Sequence, residues 1–147
     1  MKRFAVGACL AAVQLACGGS NNPYVGTWNT SLTRMGTCGY WNTIDTGQVQ
    51  ITAVGADLDF YLDLECTLKF VAGDGGIAEL SPTGQQCMTT TVDNSGYLDV
   101  TITFTSGSLT VSGNTGTCTL NDTQVFTDPG TGDMSTCTEM LSIQMQK

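Results

Sequence analysis

Residues 57–65 alternate strictly. Leu58, Phe60, Leu62 and Leu64 fall on one side, and Asp57, Asp59, Tyr61, Asp63 and Glu65 on the other. A helix scatters four such apolar residues around its circumference, whereas an extended strand gathers them on one face. This segment therefore reads as a strand with one wet face and one core face. Residues 97–105 repeat the pattern, with Leu98, Val100, Ile102 and Phe104 set against Tyr97, Asp99, Thr101, Thr103 and Thr105.

Weaker alternation fills most of the remaining chain. Strands are expected over residues 24–35, 48–54, 67–72, 77–80, 86–92, 109–111, 118–126 and 136–145. Turn chemistry separates them: Gly73-Asp74-Gly75-Gly76, Ser106-Gly107, Gly113-Asn114-Thr115-Gly116 and Asp128-Pro129-Gly130. The last run places Leu141, Ile143 and Met145 on one face of a strand, with an end helix as the alternative. No helix-length segment lies between the strands. The fold class is all-β: an antiparallel meander of eight to ten strands, with an up-and-down barrel favoured over a sandwich.

The N-terminus has a different grammar. Lys2 and Arg3 precede an apolar run from Phe4 to Ala16, followed by Cys17 and then Gly18-Gly19-Ser20-Asn21-Asn22. Thirteen apolar-rich residues fall short of the roughly 20 that span a bilayer. Positive end, short apolar core and small residues after it make a secretory signal. The segment resembles a lipoprotein signal, and the resemblance implies a signal peptide over 1–16 and a lipidated Cys17 and tether over 17–23, followed by one β domain over 24–147. An ordinary cleaved signal without lipid is the other reading.

Past residue 16, three basic residues (Arg34, Lys69, Lys147) face thirteen acids, a net charge of −10. Such a surface repels phosphate backbones, so nucleic-acid binding is not expected. It repels anionic headgroups too, so membrane attachment is expected through the N-terminal lipid. The chain has no histidine, which removes His-based triads and His acid–base chemistry. No cofactor, metal site or catalytic residue is marked, and the chain is not expected to be an enzyme.

Five cysteines follow Cys17, widely spaced and without a CxxC: Cys38, Cys66, Cys87, Cys118 and Cys137. In an exported chain these read as disulfides rather than zinc ligands. Five thiols taken two pairs at a time allow fifteen arrangements. The preferred pairs are Cys66–Cys87 and Cys118–Cys137, each closing one hairpin, with Cys38 left free or bridging to another chain. A Cys38–Cys17 bridge in an unlipidated chain is the rival.

The N-terminal segment resembles the signal of Gram-negative lipoproteins, and Gly rather than Asp after Cys17 then implies retention at the outer membrane. Gly26-Thr27-Trp28 resembles the Gly-x-Trp opening of lipocalins, and Gly26-Thr27-Trp28-Asn29 that of avidins. The resemblance implies that Trp28 plugs one end of an up-and-down barrel. No Thr-Asp-Tyr box and no late Arg to stack on the Trp accompany it, so no retinoid or biotin site is implied. Cys17-Gly18-Gly19-Ser20, Gly26-Thr27-Trp28 and the stretch from Cys66 to Cys87 are similar to small Gly/Thr-rich lipoproteins of myxobacteria-like Gram-negative organisms. That likeness implies a location and a β-rich domain, without an activity.

Candidate binding residues are Trp28, Tyr40 and Trp41, the last two between the first two strands. The acidic stripe of Asp57, Asp59, Asp63 and Glu65 reads as a solvated face, because alternate strand positions sit about 7 Å apart. Two functions are carried forward: a lipid-anchored module binding a small apolar ligand or an envelope protein, and a structural envelope lipoprotein without a ligand.

Overall fold

The computed structural model describes residues 22–38, 44–62, 66–92 and 96–147. They form an all-β domain of nine antiparallel strands in one sheet: β1 (Gly26–Gly36), β2 (Ile44–Val54), β3 (Asp57–Tyr61), β4 (Thr67–Ala72), β5 (Ile77–Leu80), β6 (Gln85–Val92), β7 (Tyr97–Ser112), β8 (Thr115–Thr127) and β9 (Met134–Gln146). The order is β5-β4-β3-β2-β1-β9-β8-β7-β6, and a further β5–β7 pairing returns the sheet to its start. The C-terminal run is a strand, as the alternation expects. No helix among the described residues is long and apolar enough to cross a membrane.

The ring is uneven. β5 and β6 lie end to end along the same side of β7: Ile77–Glu79 pair with residues 108–110, while Gln85–Val92 pair with residues 97–104. At one end of the molecule, every neighbour from β1 round to β9 is paired. At the other, the last described β3 pairing sets Tyr61 opposite Gln50, and among the described residues 44–49 of β2 pair only with β1. Among the described residues the wall there is an open trough, β2-β1-β9-β8-β7-β6, with β2 and β6 as its edges. Below, "closed end" and "open end" refer to these two halves.

A seam without a backbone ladder separates β4 from β6, and side chains hold it. Gln85 acts as a substitute strand residue: its Oε1 accepts from the Lys69 backbone N–H at 2.8 Å, and its Nε2 donates to Lys69 O and Pro82 O, each at 2.9 Å. Cys66 and Cys87 are bridged across the same seam, with Cα atoms 5.3 Å apart. Unpaired strand edges present free backbone donors and acceptors, and these two devices occupy part of one.

The core fills the closed end. Trp28, Ile51, Phe60, Leu68, Phe70, Leu109, Leu120 and Ile143 are all buried to 1 % exposure or less. Phe60 and Phe70 pack with tilted rings at 5.8 Å between centroids, a favourable aromatic arrangement. Full burial of such side chains is worth about 1.5–3 kcal/mol each. Trp28 closes the bottom of the ring and donates its Nε1–H to Tyr24 O at 2.8 Å. Lys147 Nζ sits 4.5 Å above the Trp28 ring. A lysine at the C-terminus therefore stacks where no late Arg was found.

The expected turn at Ser106-Gly107 is not a turn. β7 runs unbroken through it, with a bulge between Phe104 and Ser106. The extra residue shifts the inward phase from Leu98, Val100, Ile102 and Phe104 to Leu109 and Val111, which in sequence looks like a break. Gly107 faces Leu120 across the register, and a Cβ there would lie 2.6 Å from Leu120 Cδ2. Close packing at the bulge requires this glycine.

The disulfides are Cys66–Cys87, as expected, and Cys38–Cys137. The Cys118–Cys137 pairing and the free Cys38 are thus both corrected. The β8–β9 register sets Cys118 opposite Ile143 and Cys137 opposite Gln124, several residues apart along the hairpin. Cys38 instead follows β1 to the open end and meets Cys137 at a Cα separation of 5.0 Å. Cys118 is a free thiol with no exposed surface. Two disulfides joining distant parts of one small domain indicate an oxidising, extracytoplasmic compartment.

Candidate functional site

The interior changes character toward the open end. On β1, the inward phase that carries Trp28 and Leu32 reaches Arg34. On β8, the phase of Cys118 and Leu120 reaches Asp122 and Gln124. On β9, the phase of Leu141 and Ile143 reaches Glu139. Period-two geometry sends all four polar side chains into the ring, where the chain elsewhere places leucine and phenylalanine. Asp122 is 3 % exposed, and Gln124 and Glu139 4 % each.

These side chains form a graded network. Arg34 Nη1 lies 3.3 Å from Glu139 Oε2, and Arg34 Nε lies 3.8 Å from the exposed Asp45. Gln124 Nε2 donates to the same Glu139 oxygen at 2.9 Å. Glu139 therefore has a cation and an amide. Asp122, its direct neighbour across the β8–β9 ladder, lies near the same amide and cation, but neither of its two buried carboxylate oxygens has a donor in hydrogen-bond geometry. Burial pushes Asp122 up to about 6 from an ordinary 3.8, and the Glu139 charge adds to the rise, while Gln124 and Arg34 oppose it.

Beside this network lies a cavity of about 520 Å³, within the usual range for small-molecule sites. Its polar wall is Arg34, Asp45, Asp122 and Gln124, and its apolar wall includes Leu32, Leu62, Ile102, Phe104 and Leu141. Leu32, Leu62 and Ile102 are only partly buried although they pack on the core. The Cys66–Cys87 bridge and Met88 form the side nearest the seam. A second depression of about 480 Å³ lies on the outer face of the closed end, lined mainly by Thr, Ser, Asn and Gln. Its side chains hydrogen-bond among themselves, as Thr117 does with Gln144, and it has no apolar floor comparable to that of the interior cavity.

Trp28 does not belong to this site. It plugs the opposite end of the ring, so its proposed contact with a ligand is corrected to a packing role. Tyr40, Trp41 and Cys17 lie outside the described residues. Of the acidic stripe, Asp59 is engaged by Lys69 Nζ at 2.9 Å, and Asp63 and Glu65 lie outside the described residues. Among the described residues no group of three or more His, Cys, Asp or Glu side chains is placed to hold a metal ion. The sequence reading passed over Arg34, Asp122, Gln124 and Glu139. Their signal was polar residues in the apolar phase of three strands that the topology makes neighbours.

No family model, curated protein or solved structure matches the chain.

Proposed function

We propose that this protein is an exported binding module that holds one small, largely apolar ligand in the cavity at the open end of its ring. The observation that carries the reading is the cavity itself. It is a space of about 520 Å³ with Leu32, Leu62 and Ile102 facing it incompletely buried. Apolar surface left uncovered inside a fold is surface that a ligand covers with gain. Cys17 carries the lipid that anchors the domain to the outer membrane, a reading supported by the residue pattern around it and by the disulfide-permissive compartment.

The test uses a neutral apolar fluorophore, N-phenyl-1-naphthylamine, with the purified protein and a Leu141→Trp variant that fills the cavity from β9. Saturable binding to the wild-type chain, lost in the variant at unchanged melting temperature, is the expected result. Absence of binding to the wild-type chain, together with no small molecule co-purifying with it, overturns the ligand reading in favour of a structural envelope component. The anchor is tested separately by the intact mass of the chain extracted from its own membranes. A diacylated Cys17 is expected, and a cleaved, unacylated chain rejects it.

A further inference from the structure

We infer that the ligand of this cavity is an organic cation, a protonated amine on an apolar body, whose ammonium group is received by Asp122. The inference rests on the ligand-binding reading above and specifies its chemistry.

Four observations converge on it. First, the cavity is acidic: Asp45 and Asp122 line it against the single guanidinium of Arg34, and that guanidinium is paired with Glu139 behind the lining. Second, that guanidinium is already committed, lying between Glu139 and Asp45. An anionic ligand would compete with these two carboxylates for the guanidinium and would sit beside the Asp122 carboxylate. Third, Asp122 is 3 % exposed and has no donor on either oxygen. A buried polar group without a partner costs about 1–3 kcal/mol, more when charged, and is found paired in the great majority of folded proteins. No protein donor among the described residues reaches hydrogen-bond geometry with this carboxylate, a donor is what pairs with it, and a positively charged donor also relieves the crowding with Glu139 across the ladder. Fourth, the opposite wall is apolar, with Leu32, Leu62, Ile102 and Phe104. The site thus pairs one buried carboxylate with an apolar chamber, which matches a molecule having a cationic head and a hydrocarbon body. A bare metal ion does not fit the donor arrangement among the described residues.

Three probes of one shape and different charge decide it: 3-phenylpropylamine, 3-phenylpropanol and 3-phenylpropionate. Each is titrated into the purified full-length chain at neutral pH by calorimetry, with wild type and Asp122→Asn. The amine is expected to bind at least about tenfold more tightly than the alcohol, the size of one charge-assisted hydrogen bond, and the carboxylate more weakly than either. In Asp122→Asn the amine falls to the level of the alcohol, whose own affinity is unchanged. Equal binding of amine and alcohol, or preference for the carboxylate, overturns the cationic assignment and leaves the ligand reading standing. Binding by none of the three, together with no uptake of the neutral fluorophore, overturns both. The wild-type comparison decides the matter by itself if the variant does not fold.

Discussion

Asp122 and Glu139 stand opposite each other in the β8–β9 register, both buried inside the ring, and of the two only Glu139 accepts hydrogen bonds from its neighbours. The pair is asymmetric by construction. Arg34 from β1 and Gln124 from β8 both reach the same Glu139 oxygen. β7 sets only the apolar Phe104 opposite Asp122, and Asp45 of β2 is taken up by Arg34.

A pH dependence of stability follows from this asymmetry. Asp122 is pushed up to about 6 in the folded chain against 3.8 when solvated. Between those values the folded state holds a proton that the unfolded state has released. Stability of the ligand-free protein therefore falls as pH rises from about 4 through 6, by about 3 kcal/mol at most. Asp122→Asn removes the charge. The variant is expected to match the wild type near pH 4 and exceed it in urea midpoint at pH 7.5. Parallel pH profiles for the two proteins would reject a strained carboxylate.

The seam between β4 and β6 yields a second expectation. Gln85 satisfies both the N–H and the C=O of Lys69. Gln85→Ala leaves the Lys69 N–H to water, whereas Lys69 O keeps the Ser81 N–H at 3.0 Å, and the expected loss is about 1 kcal/mol. Replacing Cys66 and Cys87 together by Ser opens a loop with a sequence separation of 21, a loss of about 3 kcal/mol by chain entropy. The two changes act on one seam, so they are expected to be non-additive in urea titrations. Simple additivity would mean that the amide and the bridge hold independent parts of the sheet.

Much of this architecture was legible because strands write their burial in alternate residues. Leu58 and Phe60, Val100 and Phe104, and Ile143 and Met145 are buried as their phases require. The seam, the bulge and the cavity were not legible, for related reasons. A bulge at Phe104/Ser106 resets the phase and mimics a turn. The alternation of β3 reads on to Glu65, and its described ladder covers Asp57–Tyr61, with residues 63–65 outside the described residues. Which strand ends meet across the ring depends on register, and register decided that Cys38 rather than Cys118 reaches Cys137. Arg34, Asp122 and Glu139 carried a signal on each strand separately. Their meaning emerged only once β1, β9 and β8 were known to be adjacent.

The cysteine assignment is directly measurable. Cys118 is fully buried, and burial pushes its thiol up to about 12, which leaves almost no thiolate at pH 8. Iodoacetamide added to the native protein is expected to leave the Cys118 peptide unmodified, and addition in 6 M guanidinium to alkylate it fully. Non-reducing peptide maps are expected to recover Cys38 with Cys137 and Cys66 with Cys87. A Cys118–Cys137 peptide would require a shifted β8–β9 register.

The closed end offers the last test, and it separates packing from charge. Trp28 has no exposed surface and is capped by Lys147, whose Nζ also donates to Pro23 O at 3.0 Å. Trp28→Ala removes the plug and is expected to cost about 3–5 kcal/mol, visible as a large drop in urea midpoint. Lys147→Met keeps the aliphatic stem over the indole and removes only the cation and its hydrogen bond. Its expected cost is about 1 kcal/mol. Because the cavity lies at the far end of the ring, Lys147→Met is expected to leave binding of the neutral fluorophore unchanged. If Lys147→Met lowers that affinity while the fold stays intact, the two ends of the ring are coupled and Trp28 regains a part in binding.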